Sequence, residues 1–184
     1  MKTLAVLCKN GFETIEALST VDVFRRAGLD VRIVGMDSIE VVTSQKITIK
    51  ADEVFSDKIY QYDGVFVPGG LPGARDLRDD KRAIDLISKF NEEGKIIAAI
   101  CAGPIVLEKA RVIDNKKVTC FPGFEKELEH ANFVDGLVVS DGNIITGKGP
   151  GASLEIGYTL CEAFGKDSSS IREGMQYNYL MKTR

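Results

Sequence analysis

The stretch Ile96-Ile97-Ala98-Ala99-Ile100-Cys101-Ala102-Gly103-Pro104 constrains this chain more than any other. A short apolar run reads as a strand buried on both faces. It meets a cysteine, two small residues and a proline, after which Ile105, Val106 and Leu107 resume at helical density. Strand, sharp turn and helix together form a nucleophile elbow, where one side chain is held at the tip of a tight bend. Bulk after the cysteine would collide with the returning chain, and Pro104 suits a first helical turn, where its missing N–H costs nothing. A thiol at the helix start sits in positive potential, which favours thiolate. Cys101 is therefore the leading candidate nucleophile, although a cysteine ending a core strand also serves as plain packing.

The rest of the chain supplies a frame for that elbow. Residues 4–8 read as a buried strand, followed by a turn at Lys9-Asn10-Gly11-Phe12 and a helix over residues 13–27. That helix carries Ile15, Leu18, Val21 and Phe24 as its expected inner face, and Gly28 ends it. Residues 31–35 form a second strand, giving β-α-β with a right-handed crossover. Val41-Val42-Thr43 and Ile47-Thr48-Ile49 predict a small hairpin standing off the main sheet. Residues 63–67 are another buried strand, broken by Pro68-Gly69-Gly70-Leu71-Pro72-Gly73, and a helix follows over 81–93. After the elbow come a short strand at Val118-Thr119, a polar helix over 123–131 and a hairpin around Asp141-Gly142. A third glycine-rich loop, Gly147-Lys148-Gly149-Pro150-Gly151, leads into a helix over 152–163, and the tail mixes a short helical stretch with tyrosines. Alternating strands and helices imply one α/β domain spanning residues 1–184, a three-layer sandwich with a mostly parallel sheet. Ligands bind beyond the carboxyl ends of such strands, and four loops converge on that rim.

Composition removes several function classes. The chain is 28% charged and 44% hydrophobic, with a net charge of −3 and no overall basic field, so nucleic acid is not an expected partner. No apolar stretch approaches membrane-spanning length, and the first residues reach Lys9-Asn10-Gly11 too soon for a signal peptide. Cys8, Cys101, Cys120 and Cys161 lack CxxC spacing, which argues against a zinc site or a disulfide scaffold and fits a reducing cytoplasm.

Cys101 needs a proton partner. The single histidine, His130, lies in the polar stretch Glu127-Leu128-Glu129-His130-Ala131 and reads as a solvated surface residue. Glu13 and Glu16 lie just after the first strand, on the rim where Cys101 belongs. Glu16, one position from the apolar stripe, can point inward, where desolvation would keep it neutral and able to donate to a thiolate. Both glutamates equally suit an exposed helix N-terminus. Backbone N–H groups of Gly69, Gly70 and Ala102 are candidates for an oxyanion hole, and a tight turn alone also explains the glycine pair. Lys148 supplies either a charge or a cap at its strand end.

Together Glu13-Thr14-Ile15-Glu16, Val21-Asp22-Val23-Phe24-Arg25-Arg26-Ala27-Gly28, Val67-Pro68-Gly69-Gly70, Ala98-Ala99-Ile100-Cys101-Ala102-Gly103-Pro104 and Gly149-Pro150-Gly151 resemble the ThiJ/PfpI superfamily. The likeness covers nearly the whole chain and is strongest to the branch of the parkinsonism-associated protein deglycase and its bacterial relatives. It implies a flavodoxin-like homodimer with Cys101 as nucleophile, Glu16 as the protonated glutamate beside it, and Gly70 and Ala102 as backbone donors. It also implies an activity without metal or organic cofactor: a glyoxalase or deglycase acting on a small reactive aldehyde or its glycated adducts, or else an oxidative-stress sensor or chaperone. One departure stands out. Where some members carry a histidine near the cysteine, Thr119-Cys120-Phe121-Pro122 places Phe121, which cannot relay a proton, makes the pocket more apolar and leaves the acid–base work to Glu16.

Overall fold

A computed structural model describes residues 2–182; Met1, Thr183 and Arg184, part of the expected single domain, lie outside the described residues. The chain runs β1 (Thr3–Cys8), α1 (Thr14–Arg26), β2 (Asp30–Gly35), β3 (Glu40–Val42), β4 (Thr48–Lys50), β5 (Glu53–Val54) and β6 (Gly64–Val67). It continues through α2 (Gly73–Arg78), α3 (Lys81–Glu92), β7 (Ile96–Ile100), α4 (Pro104–Lys109), β8 (Lys117–Val118) and β9 (Asn132–Phe133). The last part is β10 (Val138–Asp141), β11 (Ile144–Gly147), α5 (Ser153–Ala163), α6 (Ser169–Gly174) and α7 (Tyr177–Lys182).

Seven strands form the central sheet in the order β10-β11-β7-β6-β1-β2-β5, all parallel except β10. From β1 the chain moves outward to β2 and β5, then returns to the other side of β1 and moves outward through β6 and β7. The reversal lies between β1 and β6, the switch point where a doubly wound sheet opens a crevice. The hairpin β3–β4 stands apart from this sheet, as its alternating pattern requires.

Side-chain alternation divides the interior in two. Leu4, Val6 and Cys8 of β1 face a core shared with Val21, Val23 and Phe24 of α1 and Ile156 and Leu160 of α5. Ala5 and Leu7 face the opposite core, with Leu86, Ile87 and Phe90 of α3 and Ile105 to Leu107 of α4. Helices thus cover both sheet faces, giving the expected three layers. No described helix is long and apolar enough to cross a membrane.

Several local expectations change. The inner face of α1 is Glu16, Ala17, Thr20, Val21, Val23 and Phe24, while Ile15 is 54% exposed. At 3.6 residues per turn, nine residues make two and a half turns, so Ile15 and Phe24 lie on opposite faces. The stretch 123–131 forms only a 3-10 turn at Phe124–Glu127, because Leu128 alone there is buried and no apolar stripe holds a longer helix down. The Val118 strand pairs with β9 in a two-stranded sheet of its own rather than joining the centre. α2, β5 and a 3-10 turn at Asp57–Gln61 have no counterpart in the sequence pattern, being too short to show a period. The tail packs as α6 and α7, with Tyr177 edge-on to Tyr158 at 5.0 Å and Arg172 paired to Glu155.

Candidate active site

The elbow forms as the sequence predicts, and it is strained. Cys101 has φ 62, a left-handed conformation that side chains rarely adopt. The bend is held from three directions. The Cys101 N–H donates to Gly147 O at 2.9 Å, Phe121 N–H donates to Cys101 O at 2.9 Å, and Gly103 N–H donates to Ile100 O at 2.8 Å. Gly103 must lack a side chain, since a Cβ there would lie 2.5 Å from Val67 O. Cys101 is partly exposed, whereas Cys8, Cys120 and Cys161 are buried.

The glycine loop after β6 reaches the same point. A Cβ on Gly69 would lie 2.7 Å from Cys101 Cβ, 2.8 Å from Glu16 Oε2 and 2.9 Å from Ala102 N, so three site groups crowd around one missing side chain. Gly70 has φ +87 and backs onto residues 11–13, where a Cβ would meet Glu13 N at 2.4 Å. The backbone N–H groups of Gly70 and Ala102 act on the Cys101 sulfur to favour its charged form.

Glu16 is fully buried. Its Oε2 accepts from Gly69 N–H at 2.7 Å, and its carboxyl also meets the Cys101 side chain. Oε1 is buried with no hydrogen bond of normal geometry, an arrangement a carboxylate avoids and a carboxylic O–H beside sulfur explains. Burial pushes Glu16 up to about 7, against the Gly69 N–H and Cys101, which pull it down, and the nearby charge of Glu13 adds to the rise.

The thiol departs from the simple expectation. Burial pushes Cys101 up, the charge of ionised Glu16 pushes it further, and the N–H groups of Ala102 and Gly70 only partly oppose them. A six-residue α4 does not make a thiolate by itself. An ionised Glu16 opposes charge on the Cys101 sulfur, so a protonated Glu16 is the state that favours a thiolate.

The other predicted residues fall into place unequally. Gly69 is at the site, but its N–H is committed to Glu16, so it anchors the acid instead of serving as an oxyanion donor. Phe121 is bound to the elbow through its backbone and is 43% exposed, lining an apolar trough of about 240 Å³ with Leu137 and Pro150. Lys148 is at the rim of that trough with its ammonium paired to Asp135. His130 is exposed and bound to Glu108 and Arg111, as a surface histidine should be. Glu13, left open by the sequence, proves to be the N-cap of α1, and its E-x-x-E spacing to Glu16 was the available signal.

Comparison with known proteins follows the same lines. A model of the DJ-1/PfpI family matches residues 2–163. The chain is 35% identical over 187 residues to Protein dj-1beta of Drosophila melanogaster, covering 97% of this chain and 98% of that one. It is 36% identical over 167 residues to the Parkinson disease protein 7 homolog of Danio rerio, covering 88% of each. Against Protein DJ-1 homolog B of Arabidopsis thaliana it is 35% identical over 158 residues, spanning 84% of this chain but only 36% of that longer protein. The crystal structure of Drosophila melanogaster DJ-1beta superposes with a TM-score of 0.90 at 31% identity, covering 95% of this chain and 97% of that one. A cysteine-to-alanine mutant of a DJ-1 superfamily protein from Salmonella typhimurium superposes with a TM-score of 0.89 at 32% identity, covering 97% and 98%.

Proposed function

The chain belongs to the DJ-1/PfpI family, and from that premise we propose that it is a cofactor-independent glyoxalase or deglycase, converting methylglyoxal or its adducts to a 2-hydroxy acid. The observation that supports this most is the convergence of the strained Cys101, the buried Glu16 carboxyl and the Gly70 and Ala102 N–H groups on one sulfur.

The chemistry balances without an outside oxidant. Cys101 sulfur attacks the aldehyde carbon, an S–C bond forms, and the carbonyl electron pair moves to oxygen. That oxygen accepts from the Gly70 and Ala102 N–H groups and takes the Glu16 proton. Ionised Glu16 then removes the hydrogen on the attacked carbon to give an enediolate and returns that proton to the neighbouring carbon, while the hydroxyl proton on the first carbon passes to the oxygen of the second. The first carbon is oxidised to a thioester and the second reduced to an alcohol. Water cleaves the thioester, releasing lactate and restoring the thiol. Cys101→Ala should abolish methylglyoxal turnover with the fold intact; turnover that persists in this variant overturns the reading.

A second reading shares the site. Cys101 is the one partly exposed thiol, and a neutral Glu16 can donate to a sulfinate, which suits an oxidative-stress sensor. The protein is further proposed to pair with a second copy. Ile15 on α1 and Ile47 on the β3–β4 turn are 54% and 49% exposed, and Thr14 Oγ1 donates to Gln45 Oε1 at 2.6 Å, which brings the two onto one surface. A two-fold axis through that surface would bury both.

A further inference from the structure

The first turn of α1 departs from the usual way a helix begins. Glu13 is the N-cap and Glu16 occupies the third helical position, the spacing of a capping box. In that motif the third-position glutamate reaches back to the cap residue's own N–H. Here the Glu13 N–H donates to Gly69 O at 2.9 Å and is no longer available. Glu16 instead extends to the Gly69 N–H at 2.7 Å, while its own N–H donates to Glu13 Oε2 at 2.8 Å. Three hydrogen bonds thus close a ring through Glu13, Gly69 and Glu16, tying the start of α1 to the loop after β6.

Glu13 therefore sets its carboxyl against the backbone of the residue whose own carboxyl faces the sulfur. The residue is only 9% exposed, so solvent screens its electrostatic effect on Glu16 weakly. The groups acting on Glu16 are Glu13 from its own helix, Cys101 from the elbow and the Gly69 N–H from the β6 loop. Of these only Glu13 both orients Glu16 and opposes its ionisation by charge.

We propose that Glu13 is a positioning residue for the nucleophile: its carboxylate caps α1 so that Glu16 turns to Gly69 and Cys101, and its charge keeps the shared proton on Glu16, leaving the negative charge on sulfur. The inference rests on the Cys101–Glu16 pair of the proposed function, but its test needs no aldehyde substrate. Serine caps helices well and carries no charge, so Glu13→Ser separates the two roles; Glu13→Asp retains both, and the similarly sized Glu13→Gln is the second neutral variant.

Two readouts apply to the full-length protein, with circular dichroism confirming the fold. One is the titration of the Glu16 carboxyl carbon by NMR. The other is the pH dependence of Cys101 alkylation by iodoacetamide, located by mass spectrometry. In Glu13→Ser and Glu13→Gln the Glu16 midpoint should fall, and the alkylation rate near pH 7 should fall with it as the proton moves to sulfur. Glu13→Asp should restore both. An unmoved midpoint and rate in folded Glu13→Ser or Glu13→Gln overturns the proposal, as does an equal loss in Glu13→Asp. Wild-type protein that alkylates as described but leaves methylglyoxal untouched would remove the proposed activity and leave this inference standing.

Discussion

The Gly69 N–H donates to Glu16 Oε2 at 2.7 Å, and this bond fixes the orientation of a fully buried carboxyl against the Cys101 side chain. With Oε2 occupied, Oε1 is left as the position for a proton. Gly69 can serve this role only because it has no Cβ, whose place is already surrounded by Cys101, Glu16 and Ala102.

That proton gives stability a pH dependence of definite sign. Glu16 is raised from an ordinary 4.5 to about 7, so the folded protein binds the proton more tightly than the unfolded chain. The stabilisation is complete below about 4.5 and is lost as pH rises through about 7, amounting to roughly 3 kcal/mol at most. Urea unfolding across this range should show the fall in wild type and not in Glu16→Gln. The same variant should retain its fold and lose about 100-fold or more in kcat, the contribution expected of a positioned acid–base group.

The strain at Cys101 predicts an unusual stability ranking of its variants. A side chain in the left-handed region costs roughly 1–2 kcal/mol, and glycine's extra freedom in the unfolded chain returns about 0.5–1 of this. Cys101→Gly should therefore be more stable than Cys101→Ala by about 0.5–1 kcal/mol in denaturant unfolding. The opposite order would mean that φ 62 costs the fold nothing.

Exposure orders the thiols toward peroxide. Cys8, Cys120 and Cys161 are each 0% exposed, and burial raises all three. Mild peroxide should add two oxygens to Cys101 first, as read by peptide mass spectrometry. Earlier oxidation of Cys8 or Cys161 would count against a sensing role. Glu16→Gln should slow the Cys101 reaction or stop it short of sulfinate.

The apolar surface around α1 gives a test of self-association. Ile15→Asp or Ile47→Asp should move the sedimentation coefficient from dimer to monomer without altering the far-ultraviolet spectrum. Neither side chain is part of the core, so a change in the unfolding midpoint independent of protein concentration would argue for a different role.

Much of the architecture was legible along the chain. Buried strands at Leu4–Cys8 and Ile96–Ile100, the glycine pair at Gly69-Gly70 and the cysteine followed by Ala102-Gly103-Pro104 each declare themselves within a few residues, because local sterics and apolar period act over that distance. The shorter elements were not legible: α2 and β5 span six and two residues, too few for a period, and the three-residue spacing from Ile15 to Phe24 imitated a stripe that the helix does not keep.

The sequence by itself thus determined the strand–helix alternation, the elbow and the place of Cys101 at its tip. Tertiary structure alone decided that Glu16 turns inward, that the Gly69 N–H serves the acid and not an oxyanion, that Lys148 is held by Asp135, and that burial and Glu16 push the thiol up. The reason is physical: a bend is a property of adjacent residues, whereas the location of a proton depends on burial and on charges that the fold brings together from separate segments.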